Sequence, residues 1–200
     1  DCRAALAEDP THVTMREVVK RAVADPAAVM KGIGEPARAG IRKLYHAPDL
    51  TILDLVWAPG MTLQPHDHRM WAVIGIYSGR EDNIFWRRLP DGGGRVEAAG
   101  AKALSVGDAE PLGRNIIHSV TIPIARHTGA IHVYGGDFFA AERDEGLARE
   151  DSDIVGNVLI KHSEWRSARM GGDGTGNTAG RYRFVNNTIV LGDLSETAFG

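Results

Sequence analysis

Between residues 41 and 139 the sequence is cut into short runs rich in Ile, Val, Trp and Tyr, separated by clusters of Gly, Pro, Asp and Asn. Runs of this length and composition suit strands, in which successive side chains leave opposite faces. The pattern predicts strands over residues 41–46, 51–58, 64–68, 71–77, 83–88, 96–98, 102–106, 116–122 and 130–134. Their links, such as Ala47-Pro48-Asp49 and Asp91-Gly92-Gly93-Gly94, are turn-like. So many short strands with few helices between them favour a closed antiparallel double sheet.

The flanks differ. Over residues 14–31, Met15, Val18, Val19, Ala22 and Val23 recur at helical spacing, and Thr14 with Glu17 forms a capping box. An amphipathic helix packing outside a sheet is expected there, split at Pro26 and ended by Gly32 and Gly34. After Ala141 comes a charged stretch to Asp153, read as helix or linker, and a glycine-rich stretch over 170–180. The pieces flanking that stretch, 154–162 and 182–191, read as strands, and 182–190 resembles a rung of a parallel β-helix. Two rungs cannot bury a core alone, so this tail is read as extra strands or a partner-facing appendage. The expected organisation is a helical segment over 1–40, a barrel over 41–140 and a C-terminal extension over 141–200.

With 43% hydrophobic and 24% charged residues, the chain is not wholly disordered. A formal net charge of -3, spread along the sequence, gives no electrostatic case for nucleic acid or anionic lipid. No apolar run approaches the roughly 18 residues of a bilayer helix, and the first residues lack a signal-peptide pattern, so a cytoplasmic protein is expected. The chain opens on Asp1 rather than Met, which leaves its true N-terminus open. The single cysteine, Cys2, is read as an exposed or terminal thiol, because no activating partner lies near it in sequence.

The chemistry resides in the histidines. His66 and His68, two apart on an expected strand, leave the same face and can converge on one ion. Alone, such a pair is equally well two satisfied or exposed imidazoles. Its context decides. Gly60 lies six residues before His66, and Gly79 closes the following strand. A second unit, Gly107-Asp108-Ala109-Glu110-Pro111-Leu112-Gly113, precedes a strand on which Ile116, His118 and Val120 share a side, with His118 facing inward.

Together the two units resemble the paired motifs of the cupin family, Gly-x5-His-x-His with a later Gly, and Pro-x-Gly followed by His. The resemblance covers about residues 41–139 and implies a mainly β fold, the double-stranded β-helix or jelly-roll barrel, with His66, His68 and His118 as metal ligands. Many cupins add a glutamate four or five residues after the second histidine; here those positions are Ala72 and Val73. Three neutral imidazoles leave a divalent ion its full charge and several open positions, which suits an anionic ligand together with dioxygen.

The resemblance narrows to the thiol dioxygenases, the group of cysteine dioxygenase and 3-mercaptopropionate dioxygenase, which use three histidines on Fe(2+). The run from His66 to Gly79 is similar to the bacterial 3-mercaptopropionate type, Trp57 sits where that family has a tryptophan, and Ile131-His132-Val133-Tyr134-Gly135-Gly136 resembles its late strand. The resemblance implies that His132 and Tyr134 form an outer hydrogen-bond chain beside the iron, and that Arg42 binds the substrate carboxylate. Independently, Ala130, His132 and Tyr134 alternate and share one face of their strand. A tyrosine merely packed with its hydroxyl on a histidine is the alternative there, and a surface arginine is the alternative for Arg42. Ala130 stands where the family has serine, and the cysteine that crosslinks to tyrosine in animal cysteine dioxygenase has no counterpart.

Of the other histidines, His12, His46, His127 and His162 are read as surface or structural, and Trp71, Phe85 and Trp86 as barrel packing or pocket wall. The expected function is an iron(II)-dependent oxidation of a small thiol acid by dioxygen to its sulfinate. The rivals are a dioxygenase of another bidentate ligand, such as a β-diketone, and a non-catalytic metal-holding module. Monomer and homodimer both remain open.

Overall fold

A computed structural model describes residues 1–90 and 96–140, together with the backbone of four short strands between 152 and 191. The expectations for residues 141–151 and 170–180, and for His162, lie outside the described residues. The chain divides into two compact units, Asp1–Asp137 and Phe138–Gly200.

The first unit opens with three helices, α1 (Cys2–Glu8), α2 (His12–Val23) and α3 (Pro26–Ile33). The sequence reading foresaw the last two but misplaced the first cap. Thr11, not Thr14, caps α2 by accepting from the Val13 amide, while the Asp9 carboxylate accepts from both Thr11 and Thr14. Asp25 caps α3 through the Ala28 amide, so Pro26 begins a new helix instead of kinking an old one. Cys2 is half-buried within α1 and packs against the helical core, and burial raises its thiol pKa.

Nine strands follow: β1 (Gly40–Ala47), β2 (Leu50–Trp57), β3 (Thr62–His66), β4 (Ala72–Ser78), β5 (Arg80–Arg88), β6 (Val96–Ser105), β7 (Ala109–Leu112), β8 (Ile117–Thr121) and β9 (Thr128–Tyr134). They form a five-stranded sheet in the order β1-β2-β9-β4-β7 and a four-stranded sheet in the order β3-β8-β5-β6, every pairing antiparallel. Strand β2 pairs with β9, β3 with β8, β4 with β7 and β5 with β6, as in one long hairpin. Rolling that hairpin also brings β4 beside β9 and β5 beside β8. This is the double-stranded β-helix, a mainly β jelly roll with N-terminal helices.

Directly paired residues share a face, so the register separates inside from outside. Leu53, Leu55 and Trp57 of β2, Ala130, His132 and Tyr134 of β9, and Ala72, Ile74 and Ile76 of β4 fall on one face. The opposite face carries Leu50, Val73, Tyr77 and Val133, which bury Met15, Val19 and Val23 of α2. Gly75 permits that contact: a methyl built on it would stand 2.4 Å from Val19 Cγ1 and 2.9 Å from Val23 Cγ1. Gly79 makes the crossing from β4 to β5 with a φ of 79°, a left-handed conformation that costs glycine little.

In the second unit, β10 (Ser152–Val155) pairs in parallel with β12 (Tyr182–Val185), and β11 (Val158–Lys161) with β13 (Thr188–Leu191). Both pairs match each residue with the one thirty positions later, a parallel pairing with one constant register. No helix among the described residues is long and apolar enough to cross a membrane.

Candidate metal centre

Two strands and one loop assemble the three histidines. His66 is the last residue of β3 and lies opposite His118 of β8. His68 lies beyond the end of β3, so the shared-face argument for His66 and His68 does not hold as stated. The loop achieves the convergence instead, turning at Arg69, whose φ is 56°. Ring centroids lie 4.9 Å apart for His66 and His68, 4.5 Å for His66 and His118, and 5.1 Å for His68 and His118.

The donor atoms suit a cation. One ligand nitrogen from each ring lies within 4.8 Å of the others, and the Nε2 atoms of His68 and His118 are 3.0 Å apart. Two nitrogens each about 2.1 Å from one ion, at a right angle, would be separated by about 3 Å. His66 Nδ1 lies 2.8 Å from the Gln64 carbonyl, and His118 Nδ1 lies 2.7 Å from Asn83 Oδ1. In both rings that leaves Nε2 as the ligand atom, with the other nitrogen oriented by a second partner. Burial and the neighbouring His66 and His68 push His118 down to about 2; burial, then His66 and His132, hold His68 well below the usual histidine range. Neutral rings keep their lone pairs for a metal. The triad can therefore hold a metal ion.

Beside it stand the two outer groups. Tyr134 and His132 are both buried on the inner face of β9, with Tyr134 Oη 3.0 Å from His132 Nδ1. The Tyr134 ring lies edge-on to His68 at 5.1 Å between centroids. His132 is driven to about 3 by burial first, then by His118 and His66. Its Nε2 is buried without a hydrogen-bond partner, while the Trp57 ring sits 6.4 Å away.

Arg42 is not brought to this centre. It pairs across the strands with Asp54, on the helix-packed face. Its guanidinium binds the Asp54 carboxylate at 2.9 Å and the Ile33 carbonyl, and the Tyr77 hydroxyl donates to the same carboxylate at 2.8 Å. Strand parity sends residue 42 outward, which removes it from the position that the sequence reading gave it. His46 binds Asp137 at 2.9 Å, a structural contact, and Trp71 Nε1 donates to the Pro10 carbonyl.

Two residues of the centre escaped the sequence reading, Asn83 and Glu81. Both are buried on β5, and Asn83 Nδ2 donates to Glu81 Oε1 at 2.9 Å. Burial raises the Glu81 carboxyl to about 7; Asn83 and the Trp57 indole both favour its ionised form, although Trp57 Nε1 and Glu81 Oε2 do not meet in hydrogen-bond geometry. The signal was present in the sequence. Polar residues at alternate positions of a strand, Glu81 and Asn83, mark an inward polar face, but the expected strand began at Asn83 and left Glu81 outside it.

No family model matches the chain. Similar solved structures include KdgF from Halomonas sp., 18% identical, with 48% of this chain and 76% of that one covered at a TM-score of 0.38. An RmlC-like cupin family protein with a double-stranded β-helix fold, from Methanocaldococcus jannaschii, is 12% identical, with 50% and 83% covered at a TM-score of 0.41. The DMSP lyase DddQ from Ruegeria pomeroyi is 17% identical, with 50% and 48% covered at a TM-score of 0.40.

Proposed function

We propose that this chain is a non-haem iron(II)-dependent dioxygenase that converts a small thiol carboxylic acid, of the cysteine or 3-mercaptopropionate type, to its sulfinic acid. Both atoms of dioxygen enter the product, so no further reductant is required. The observation that carries the reading is the Tyr134–His132 pair set against a cluster that, among the described residues, is made of three histidines and no carboxylate. Ferrous iron on three neutral imidazoles would supply open, positively charged positions where a thiolate and dioxygen meet side by side.

The chain's own groups orient and desolvate. His66, His68 and His118 fix the reacting point between the sheets. The Tyr134 ring lies edge-on to His68, and with His132 Nδ1 donating to it the Tyr134 hydroxyl keeps its own proton to donate to substrate. Leu53, Leu55, Ile74 and Ile76, all on the inner face, exclude water around it. Cysteine and 3-mercaptopropionate are to be offered to the iron-loaded protein while oxygen uptake and sulfinate are followed. Uptake in step with sulfinate supports the reading, and no uptake with any small thiol sinks it.

Two observations favour a second reading. Arg42, expected to hold the thiol's carboxylate, lies on the other face of its sheet, and Ala130 stands where the thiol dioxygenases have the serine of their hydrogen-bond chain. A bidentate oxygen ligand such as a β-diketone would need neither. Addition of each ligand class to the ferrous protein separates the two readings by which one produces a charge-transfer band.

A further inference from the structure

Neither the three ligands nor the Tyr134–His132 pair accounts for Glu81 and Asn83, two polar side chains buried at 0% and 2% exposure. They stand two apart on β5 and therefore share its face; Asn83 pairs with Val120 of β8, two residues from His118 and on the same face of that strand. Buried polar groups are costly unless each finds a partner, so their arrangement is constrained.

The direction of each bond follows from donor and acceptor chemistry. Glu81 Oε1 can accept, whether the carboxyl is ionised or carries its proton on Oε2. It therefore draws the NH2 end of the Asn83 amide, which donates to it at 2.9 Å. The amide's other end, Oδ1, is then turned to His118 Nδ1 at 2.7 Å, and a carbonyl oxygen only accepts. Nδ1 must be the protonated nitrogen. Nε2 keeps its lone pair, and it is Nε2 that stands 3.0 Å from the corresponding atom of His68.

We propose that Glu81 and Asn83 are positioning residues of the metal centre: the carboxyl sets the direction of the amide, the amide sets the tautomer of His118, and that tautomer presents Nε2 to the ion. The proposal rests on the reading that the triad holds a metal, and its ligand is a divalent cation that prefers imidazole nitrogen. It does not depend on which substrate is oxidised.

The first test uses the metal-free chain of 200 residues. Nitrogen NMR of its imidazoles should show His118 protonated at Nδ1 and unprotonated at Nε2; the opposite tautomer, or an even mixture, overturns the proposal. The second is a cobalt(II) competition titration against a chelator, with an unfolding curve confirming that each variant folds. Asn83→Leu should weaken cobalt binding by about 10-fold to 100-fold, the usual cost of losing an outer partner. Asn83→Asp, which still presents an acceptor to Nδ1, should stay within about threefold of wild type by the same reasoning. A folded Asn83→Leu protein with wild-type affinity contradicts the proposal. If the wild-type chain takes up no cobalt, the metal reading falls and the proposal with it; if it binds cobalt but His118 carries the other tautomer, the proposal alone falls.

Discussion

Three imidazoles gathered within bonding reach of one point would repel one another if protonated, and burial adds to that cost. In the fold burial pushes His118 down to about 2 and the outer His132 down to about 3, and it holds His68 well below its usual range, whereas an unfolded chain binds protons at all three of these near 6.5. Below about 6.5 the unfolded state therefore holds protons that the folded state lacks, and stability falls as pH falls through that window. Glu81 acts oppositely: its folded pKa of about 7 exceeds its ordinary 4.5, so its contribution falls as pH rises between the two. Three histidines outweigh one carboxyl. The metal-free protein should show a lower urea midpoint at pH 5.5 than at 7.5, and Glu81→Gln should steepen that loss by removing the offset. A midpoint that rises on acidification would contradict the assignment. At the same scale, Tyr134→Phe removes one hydroxyl and no ligand. Iron content should be unchanged while thiol-dependent oxygen uptake falls by about 100-fold, the low end for a lost proton donor.

At the scale of elements, α2 and the outer face of β4 form one packed layer that supports the strand next to the centre. Met15 is wholly buried there, so Met15→Ala should cost about 2–5 kcal/mol in denaturant unfolding. Gly75→Ala should cost about 1–3 kcal/mol, because its methyl meets two stiff valines at less than van der Waals contact. Wild-type stability in either variant would show that this layer is not packed as described. The periodic runs made most of these elements readable beforehand, and the exceptions have local causes. Gly100 reads as a break between two strands, yet it pairs with Phe85 beside a bulge inside one continuous β6. Pro111 reads as part of a turn, yet β7 lies at the edge of its sheet, where a missing amide costs no ladder bond. Periodicity reads His68 on a strand that stops at His66, and the resemblance reads Arg42 at the substrate carboxylate, with a surface arginine as the alternative, whereas its pairing with Asp54 turns it to the other face. Alternation reveals which residues share a face. Only the register reveals which face is the inner one.

On the scale of the whole molecule, every side chain of the centre among the described residues belongs to the first compact unit, Asp1–Asp137. The jelly roll was legible because its strands and both histidine units fall in one continuous stretch, and the tail's strand runs were legible too, whereas the parallel pairing of β10 with β12 and β11 with β13 goes beyond the reading of extra strands or a partner-facing appendage. The role of Asn83 and Glu81 was not, since it depends on a contact across thirty-five residues that no local pattern records. A chain ending at Asp137 should bind a divalent metal as the full chain does, measured by the same titration; loss of binding would assign residues beyond 137 to the site.

The proposed chemistry requires His66, His68 and His118 to share one ion. Anaerobic calorimetric titration of the metal-free protein with ferrous iron tests this directly, alongside His118→Ala. One ion per chain in the wild type, with binding lost in the variant, is the predicted result. A wild type that binds no iron, or a folded His118→Ala protein that binds it equally well, would contradict the account.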